Sequence, residues 1–280
     1  MQPRIDTLID LALEEDAAYG DVTSQSIFSP DHVSRAQVLA REDMVVCGLD
    51  IVERVFHRVD PGMKVSLEAS DGDQVSNGST VLKAEGSTIS LLIAERTALN
   101  FLQRLSGIAS LSQQYANATA GTGVRIVDTR KTTPGWRALE KYAVRCGGCF
   151  NHRSSLGEHV LIKENHITAA GSLKKAVKLA RDFAPHCAKI EVETESLNDV
   201  KEALEAGAEV IMLDNMTPSQ IQQAVALINK AATIEVSGGI SLDTIAGYAL
   251  PGVDVISIGA LTHSAPAADF SMIIPVQTRE

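Results

Sequence analysis

Hydrophobic residues in the second half of the chain recur in short runs that are rich in β-branched side chains. The runs cover residues 124–130, 159–166, 189–195, 209–215, 233–239 and 254–263. Apolar residues between the last five runs recur at helical spacing, as in "SLKKAVKLARDFA" and "SLNDVKEALEAG". A repeated alternation of strand and helix predicts a parallel sheet with crossover helices.

Residues typical of helix ends stand at the boundaries of these helical patterns. Ser172, Ser196, Thr217 and Ser241 each precede a helical run, and Gly207 follows one. A short polar side chain accepts N–H bonds at a helix start, and glycine adopts the left-handed conformation at a helix end. The pattern therefore predicts a helix after each of four strands.

Such an alternation fits either an open doubly wound sheet or an α/β barrel. No G-x-G-x-x-G motif follows a strand, and the "GTG" at 121–123 precedes its strand, which argues against a dinucleotide-binding sheet. Polar or glycine residues stand at the carboxyl ends of nearly all strands: Arg130, Lys131, Lys163, Glu193, Asp214, Ser237, Gly259 and His263. Barrel enzymes build their sites from that rim, so we expect a barrel with its site there.

The first 110 residues have a different pattern and predict a smaller, separate α+β unit. Strand-like alternation is interrupted by Asp71-Gly72 and Asn77-Gly78, which are hairpin signals. This stretch also resembles the hammerhead of lipoyl and biotinyl carrier domains, which gives a non-enzyme alternative, a carrier or binding module. Such a module presents its lysine at an exposed hairpin tip, whereas Lys83 lies inside the strand-like "TVLKAEG".

A long helical pattern follows, in "LLIAERTALNFLQRLSGIASLSQQYA". Arg96, Asn100 and Arg104 are spaced by four residues, so they share one face of this helix. The spacing alone predicts a solvated face.

Composition is that of a globular protein with a substantial core, since 45% of the 280 residues are hydrophobic. The N-terminal stretch has the pattern of a surface helix rather than a signal peptide, and no segment approaches the roughly 20 apolar residues of a membrane helix. Four cysteines, Cys47, Cys146, Cys149 and Cys187, fit reduced thiols, so we expect a cytoplasmic protein. The "CGGC" at 146–149 is interpreted as structural.

Charge is distributed unevenly along the chain. The net charge is -10, which disfavours a nucleic acid or membrane partner. Residues 125–163 nevertheless contain eight Lys and Arg against three Asp and Glu. We therefore expect this basic segment to bind a small polyanion.

An ordered set of motifs along nearly the whole chain resembles one enzyme family. The motifs are "ERTALNFLQRLSGIAS", "DTRKTTPGWRALEKYAVRCGG", "NHR", "LIKENH", "IEVETES", "IMLDN", "VSGGI" and "GALTHS". They are similar to those of quinolinate phosphoribosyltransferase, also called nicotinate-nucleotide pyrophosphorylase (carboxylating). The resemblance implies conversion of quinolinate and phosphoribosyl pyrophosphate (PRPP) to nicotinate mononucleotide, pyrophosphate and CO2, with Mg2+.

The resemblance also implies an architecture, an N-terminal α/β sandwich joined to an incomplete α/β barrel. We assign the sandwich to residues 1–110 and the barrel to residues 111–265, and we expect the tail, about residues 266–280, to pack back on the sandwich. Family members form homodimers, and a larger assembly is a further option.

Site residues are implied by matching this sequence to the family motifs. The residues implied for quinolinate binding are the partner subunit's Arg96 and, in the same barrel, Thr129, Arg130, Lys131, His152, Arg153 and Lys163. The residues implied for binding PRPP and its phosphates are Lys163, Glu193, Asp214, Ser237, Gly238, Gly239, Gly259, Ala260 and His263. Lys131, Glu193 and Asp214 are the catalytic candidates, and Mg2+ is carried mainly by PRPP, next to Glu193 and Asp214.

Three other cations of the basic segment, Arg137, Lys141 and Arg145, follow at a spacing of four on a helix. We interpret them as a solvated or dimer-facing stripe. Other functions left open are a nicotinate phosphoribosyltransferase-like enzyme, a molybdenum-locus paralogue, and an aldolase that forms a Schiff base through Lys131 or Lys163.

Overall fold

The computed structural model describes residues 2–275, which form two compact units. The first contains residues 2–113, 134–147 and 265–275, and the second contains residues 114–133 and 148–264. The predicted tail extends to residues 276–280, which lie outside the described residues.

Helices and strands are numbered here in chain order. The helices are α1 (Gln2–Ala17), α2 (Val22–Ile27), α3 (Leu49–Val59), α4 (Thr88–Ala118), α5 (Arg137–Cys146), α6 (Glu164–Ala170), α7 (Leu173–Phe183), α8 (Leu197–Ala206), α9 (Pro218–Ile228) and α10 (Ala260–His263). The strands are β1 (Val33–Ala40), β2 (Met44–Val45), β3 (Lys64–Leu67), β4 (Gln74–Val75), β5 (Thr80–Ser87), β6 (Arg125–Val127), β7 (Val160–Ile162), β8 (Ile190–Thr194), β9 (Val210–Asp214), β10 (Thr233–Ser237), β11 (Val255–Ser257) and β12 (Phe270–Ile273). No helix within residues 2–275 combines the length and apolarity needed to cross a membrane.

The first unit is built on a four-stranded antiparallel sheet with the order β12-β1-β5-β3. Every second residue of β1, beginning at Ser34, is buried, because successive side chains of a strand point to opposite faces. The strand from the C-terminal tail, β12, pairs with β1 along the sheet edge.

Neither predicted hairpin forms, although both dipeptides do make turns. Gly72 and Gly78 have φ of +96° and +89°, the left-handed region that a glycine tolerates. The flanking strands pair elsewhere, β3 with β5 and β4 with β2. At the first turn Asp71 Oδ1 accepts the N–H groups of Gly48 and Leu49, so this side chain holds the turn against the start of α3.

The second unit confirms the predicted parallel sheet with crossover helices. Its six strands are all parallel and have the order β6-β11-β10-β9-β8-β7. Beyond β6 a single parallel bridge joins Val127 to Phe150, and no ladder among the described residues joins β6 to β7. The strand order is therefore that of an α/β barrel with one gap.

Three of the four predicted helix starts are confirmed. The side chains of Ser172, Ser196 and Thr217 accept the backbone N–H three residues on, and Gly207 ends α8 with φ of +81°. The prediction is wrong for Ser241, which precedes a turn and a single 3₁₀ turn, residues 245–247, instead of an α-helix.

The missing helix between β10 and β11 has a reason in the sequence. Gly247 and Pro251 interrupt the apolar pattern there, and both residues disfavour a helix interior. The connection between these two strands therefore contains a single 3₁₀ turn where the other crossovers contain α-helices.

Two interpretations of helix faces are corrected. Lys141 is buried on α5, within the first unit, so it does not belong to a solvated stripe. On α4, Arg96 and Asn100 are exposed, but Arg104 is not a solvated side chain. Its Nη2 donates to Glu140 Oε1 at 2.8 Å, where the Glu140 side chain is fully buried. A buried carboxylate needs a charged partner, and Arg104 is the partner that α4 provides.

Candidate active site

The predicted rim residues of the second unit lie at one edge of its sheet, because the carboxyl ends of parallel strands meet at the same edge. The segment 128–131 follows β6, and Lys163 follows β7 and precedes α6. Three further rim residues lie at the carboxyl ends of strands: Glu193 is the second-to-last residue of β8, Asp214 is the last of β9 and Ser237 is the last of β10. Gly259 directly precedes α10. The register places Asp214 directly beside Ser237.

One face of this sheet carries acidic residues at alternate positions. On β8, Ile190 and Val192 are fully buried on one face, so Glu191 and Glu193 point to the other. On β10, the same alternation puts Glu235 on the face that Ser237 shares. Glu191 and Glu235 are 1% and 4% exposed. Two carboxyl groups are therefore buried one step below the rim.

His152 lies between these two carboxyl groups. Its Nε2 is 3.4 Å from Glu191 Oε2 and 3.4 Å from Glu235 Oε1. His159 Nε2 approaches the same Glu191 oxygen at 3.2 Å. The cluster places two imidazoles and two carboxyl groups in contact, in a part of the unit that is almost closed to solvent.

Charge in this cluster is set by its neighbours. Burial by itself lowers the pKa of His152, but Glu191 and Glu235 outweigh it and raise that pKa to about 9. The N–H of Arg153 donates to His152 Nδ1 at 2.8 Å, which opposes the increase because a protonated Nδ1 has no lone pair to offer. In either form the Nε2 proton points toward the carboxyl groups.

The two acidic groups respond to burial in different ways. Burial raises the pKa of Glu191, but His152 and His159 outweigh it and lower that pKa to about 2. Burial raises the pKa of Glu235, and the Glu191 charge raises it further. Glu191 is therefore held in its ionised form, whereas Glu235 is pushed toward its protonated form.

The loop that presents His152 is anchored by Asp128, which is fully buried at the end of β6. Asp128 Oδ1 accepts the backbone N–H of His152 at 2.9 Å, and Oδ2 accepts the Asn151 side-chain amide at 2.7 Å. The position of the "NHR" segment is thereby fixed relative to the end of β6.

Arg153 is 8% exposed, and its Nη1 donates to the His159 carbonyl at 3.0 Å. Burial lowers the pKa of Arg153, and the positive charge of Arg130 lowers it further. The positive charges of Arg130 and Arg153 therefore repel each other. Two guanidinium groups held in this way favour an anion that bridges them.

Lys131 and His263 meet at Gly259. A Cβ atom at Gly259 would lie 3.1 Å from Lys131 Cδ and 3.1 Å from His263 Nε2. The Lys131 carbonyl accepts the Thr262 hydroxyl at 2.8 Å, which joins the loop after β6 to α10. Glycine at this position therefore lets both side chains reach the start of α10.

Two glycines shape the end of β10. Gly238 and Gly239 have φ of +99° and +62°. A Cβ atom at Gly238 would lie 2.3 Å from Asn215 Oδ1, so only glycine fits beside the end of β9. Gly239 faces open space, with no atom within 4 Å of where its Cβ would be. The turn leaves main-chain groups accessible, as an anion site requires.

Glu193 and Asp214 are the acidic residues of the rim itself. Glu193 pairs with Lys163 across the ends of β7 and β8. Asp214 Oδ2 accepts the Asn215 side-chain amide at 2.7 Å. These carboxylates are hard oxygen donors at neighbouring strand ends, which suit Mg2+. A second set of donors, in His152, His159 and Glu191, has ligand atoms within 4.8 Å of one another.

The structure thus brings most of the predicted residues to one edge of the second unit. Arg96 belongs to the first unit, where it lies on α4. Sequence reasoning missed the buried residues beneath the rim: Asp128, His159, Glu191 and Glu235. A signal existed, since "KIEVETE" and "TIEVSGG" each carry a glutamate inside an otherwise apolar strand.

Comparison with known proteins gives matches over nearly the whole chain. The model of the quinolinate phosphoribosyl transferase C-terminal domain matches residues 108–273, and that of the N-terminal domain matches residues 21–106. A probable nicotinate-nucleotide pyrophosphorylase (carboxylating) of Bacillus subtilis is 42% identical over 258 residues, which is 92% of this chain and 89% of the relative. A Synechocystis protein of the same description is 43% identical over 96% of this chain and 92% of the relative. The solved nicotinate-nucleotide pyrophosphorylase of Francisella tularensis has a TM-score of 0.94 and 37% identity, covering 98% of this chain and 97% of its own.

Proposed function

Since this chain belongs to the quinolinate phosphoribosyltransferase family, we propose that it converts quinolinate and PRPP to nicotinate mononucleotide, pyrophosphate and CO2. The reaction is a pentosyl transfer coupled to a decarboxylation, and its product feeds the synthesis of NAD. Relatives at about 40% identity carry quinolinate in their names or the carboxylating pyrophosphorylase name, which favours this activity over a nicotinate-specific one.

The placement of Arg153 supports the substrate most directly. Its side chain is almost completely buried, and Asp128 ties the neighbouring His152 to the loop that carries Arg130. Quinolinate is a rigid dianion whose carboxylates stand on adjacent ring carbons. Each guanidinium can take a carboxylate through two N–H groups, which binds the ring and orients it. Thr129, Lys131, His152 and Lys163 complete the proposed quinolinate site.

The buried cluster supports this site from below. Glu191 and Glu235 hold the Nε2 side of His152, and Asp128 holds its backbone. Since Arg153 follows His152 in the chain, the same contacts fix where its guanidinium begins. Because these contacts hold the cations in place before substrate binds, less conformational entropy is lost on binding.

PRPP fits the remaining part of the rim. The open glycine turn, Ser237 with Gly238 and Gly239, and the start of α10, Gly259 with Ala260, offer main-chain N–H groups to its 5-phosphate. His263 lies beside the second of these segments. Lys163, Glu193 and Asp214 face the ribose hydroxyls and the pyrophosphate.

We include Mg2+ as the metal of the reaction, carried mainly by PRPP and placed next to Glu193 and Asp214. The donor set fits this ion, because two carboxylates plus substrate phosphates are a common Mg2+ environment. When bound, the ion neutralises charge on the departing pyrophosphate. The Lys163 ammonium, paired with Glu193, adds positive charge at the same edge.

The chain's own residues then supply position and charge rather than a covalent intermediate. Arg130 and Arg153 hold the pyridine nitrogen in line with the anomeric carbon, so that the C–N bond forms as the C–O bond to pyrophosphate breaks. Glu193 and Asp214 stabilise the positive charge that develops at the anomeric carbon. After transfer the ring nitrogen is cationic and stabilises the carbanion left by CO2, and Lys131 guides the final protonation.

We also propose a homodimer, or a larger assembly of dimers, in the cytoplasm. Arg96 is exposed on α4 of the first unit, and its assigned role is to complete the quinolinate site of a partner barrel. The other partners of the protein are its two small-molecule substrates.

A direct assay tests the activity. The protein is mixed with Mg2+, PRPP and carboxyl-labelled quinolinate, and we expect labelled CO2 and nicotinate mononucleotide in equal amounts. Nicotinate in place of quinolinate leaves one guanidinium without its anion, so turnover should fall steeply. Equal use of nicotinate would contradict the proposal. Borohydride reduction in the presence of substrate should trap no adduct on Lys131 or Lys163, whereas an aldolase would give one.

A further inference from the structure

The structure pairs Cys146 with a cysteine other than the one that its C-x-x-C spacing suggests. Cys146 ends α5 in the first unit, whereas Cys149 lies in the second. Within the first unit, Cys146 meets Cys47 and Asp71. One ligand atom from each of these residues, two Sγ and one carboxylate oxygen, lies within 4.8 Å of the others.

Asp71 is held firmly in this cluster. Its Oδ1 accepts two backbone N–H groups at the start of α3, from Gly48 at 2.9 Å and Leu49 at 3.0 Å. Its Oδ2 accepts the Tyr142 hydroxyl at 2.9 Å. The carboxylate is therefore oriented by three donors, in the way that neighbouring hydrogen bonds orient the ligands of protein metal sites.

The two thiols differ in their surroundings. Cys47 is fully buried. Cys146 is partly exposed, so the cluster has a buried side and an accessible side.

A cavity within the first unit reaches the Asp71 side of the cluster. A cavity of about 630 Å³ is lined by Asp71 and Tyr142, together with apolar side chains such as Leu49 and Leu139. This volume is ample for a hydrated ion to approach the carboxylate.

From this arrangement we propose a site for one thiophilic divalent cation of the Zn2+ class, bound by Cys47 Sγ, Cys146 Sγ and an oxygen of Asp71. Two sulfur donors and one oxygen donor select such ions over Mg2+, which prefers oxygen alone. Binding releases the thiol protons to solvent, and solvent supplies the remaining ligand. Three protein ligands with one open position is a common zinc arrangement. The site is separate from the Mg2+ position proposed for the reaction.

The test is a titration of the reduced, metal-free, full-length protein with Zn2+ and then with Cd2+, in excess Mg2+ to occupy oxygen-only sites. We expect one equivalent to bind per chain, and Cd2+ to produce the ultraviolet charge-transfer absorption of a cadmium thiolate. Cys47→Ser and Cys146→Ser should remove both signals. Cys149→Ser and Cys187→Ser are matched controls that should keep them, and circular dichroism checks that every variant is folded.

Tyr142→Phe provides a second variant that leaves all three ligands in place. It removes the hydroxyl that orients Asp71, so we expect affinity to fall about 10- to 100-fold with the stoichiometry unchanged. The proposal is overturned if wild-type protein binds no Zn2+, or if binding persists in the folded Cys47→Ser and Cys146→Ser variants. It is also overturned if Cys47 and Cys146 form a disulfide on mild oxidation while the reduced protein takes up no metal.

Discussion

His152 Nε2 lies 3.4 Å from Glu191 Oε2, and this carboxylate is almost completely buried inside the second unit. A charged group in such a place is stable only if it is paired, so the imidazole and the carboxylate depend on each other. Glu235 lies at the same distance from Nε2 but is pushed toward its protonated form. The two glutamates therefore have different roles, although both stand in the middle of apolar strands.

Glu191→Gln should lower the free energy of unfolding more than Glu235→Gln does. The first change removes the charge that His152 and His159 hydrogen-bond, at a cost of about 1–3 kcal/mol. The second replaces a group whose burial already favours the neutral form with a neutral amide of similar shape, so we expect a smaller loss. Urea denaturation at neutral pH measures both. A larger loss in Glu235→Gln would reverse the assignment of charge.

The stability difference between wild type and Glu191→Gln should depend on pH. Because the folded-state pKa of Glu191 is lowered from 4.5 to about 2, its ionised form adds stability that is fully present above about pH 4.5. That stability is lost as the pH falls through the folded-state pKa. Denaturation curves should therefore show the gap between the two proteins narrowing below pH 4.5. A gap that stays constant down to pH 3 would contradict a lowered pKa.

Arg153→Lys should impair catalysis although the positive charge is kept. A lysine cannot hold the His159 carbonyl and a substrate carboxylate with one planar group, and we expect kcat/KM for quinolinate to fall by roughly 1.5–3 kcal/mol of transition-state stabilisation. Arg181→Lys, on a half-exposed arginine paired with Glu209, is the matched control and should retain wild-type activity. Near wild-type kcat/KM in Arg153→Lys would remove Arg153 from the site.

Gly107→Ala should destabilise the first unit. A Cβ atom at this position of α4 would lie 1.9 Å from the Pro266 carbonyl oxygen, and backbone cannot yield as a flexible side chain does. We expect a loss of about 1–3 kcal/mol in the free energy of unfolding, or more. Gly247→Ala is the control, since nothing lies within 4 Å of its Cβ position. Equal stability of the two variants would show that the tail residues do not pack there.

Arg96→Ala and Lys163→Ala should complement each other. If Arg96 serves a partner's barrel, each variant homodimer is nearly inactive, but a mixed dimer contains one site with both wild-type residues. With random exchange half the dimers are mixed, so about a quarter of wild-type activity should return. Exchange is verified with differently tagged subunits. No recovery after verified exchange would contradict a site shared between independent subunits.

Local signals in the sequence were sufficient for much of the second unit. The alternation of apolar strands with capped helices predicted the parallel sheet, because hydrophobic period and capping are properties of neighbouring residues. Polar residues at strand ends predicted the rim for the same reason. The prediction of a helix after Ser241 was wrong because Gly247 and Pro251 disfavour a helix interior, which outweighs the favourable cap residue.

Pairings between distant segments depended on the tertiary structure. The strands on either side of Gly72 do not pair with each other, since β3 pairs with β5 and β4 pairs with β2. Lys141 is buried although its spacing on a helix predicted exposure. Burial depends on what packs against a helix or strand, and no local pattern contains that information.

The sequence by itself determined the class of fold, the family to which the chain belongs and the edge of the sheet that carries the polar residues. Only the tertiary structure decided that the His152 side chain lies within 3.4 Å of two buried glutamates and that the Cys146 and Cys47 side chains are neighbours. The reason is physical: periodicity and capping arise between residues a few positions apart, whereas pKa shifts and shared ligand positions arise from distances between side chains that are far apart in the chain.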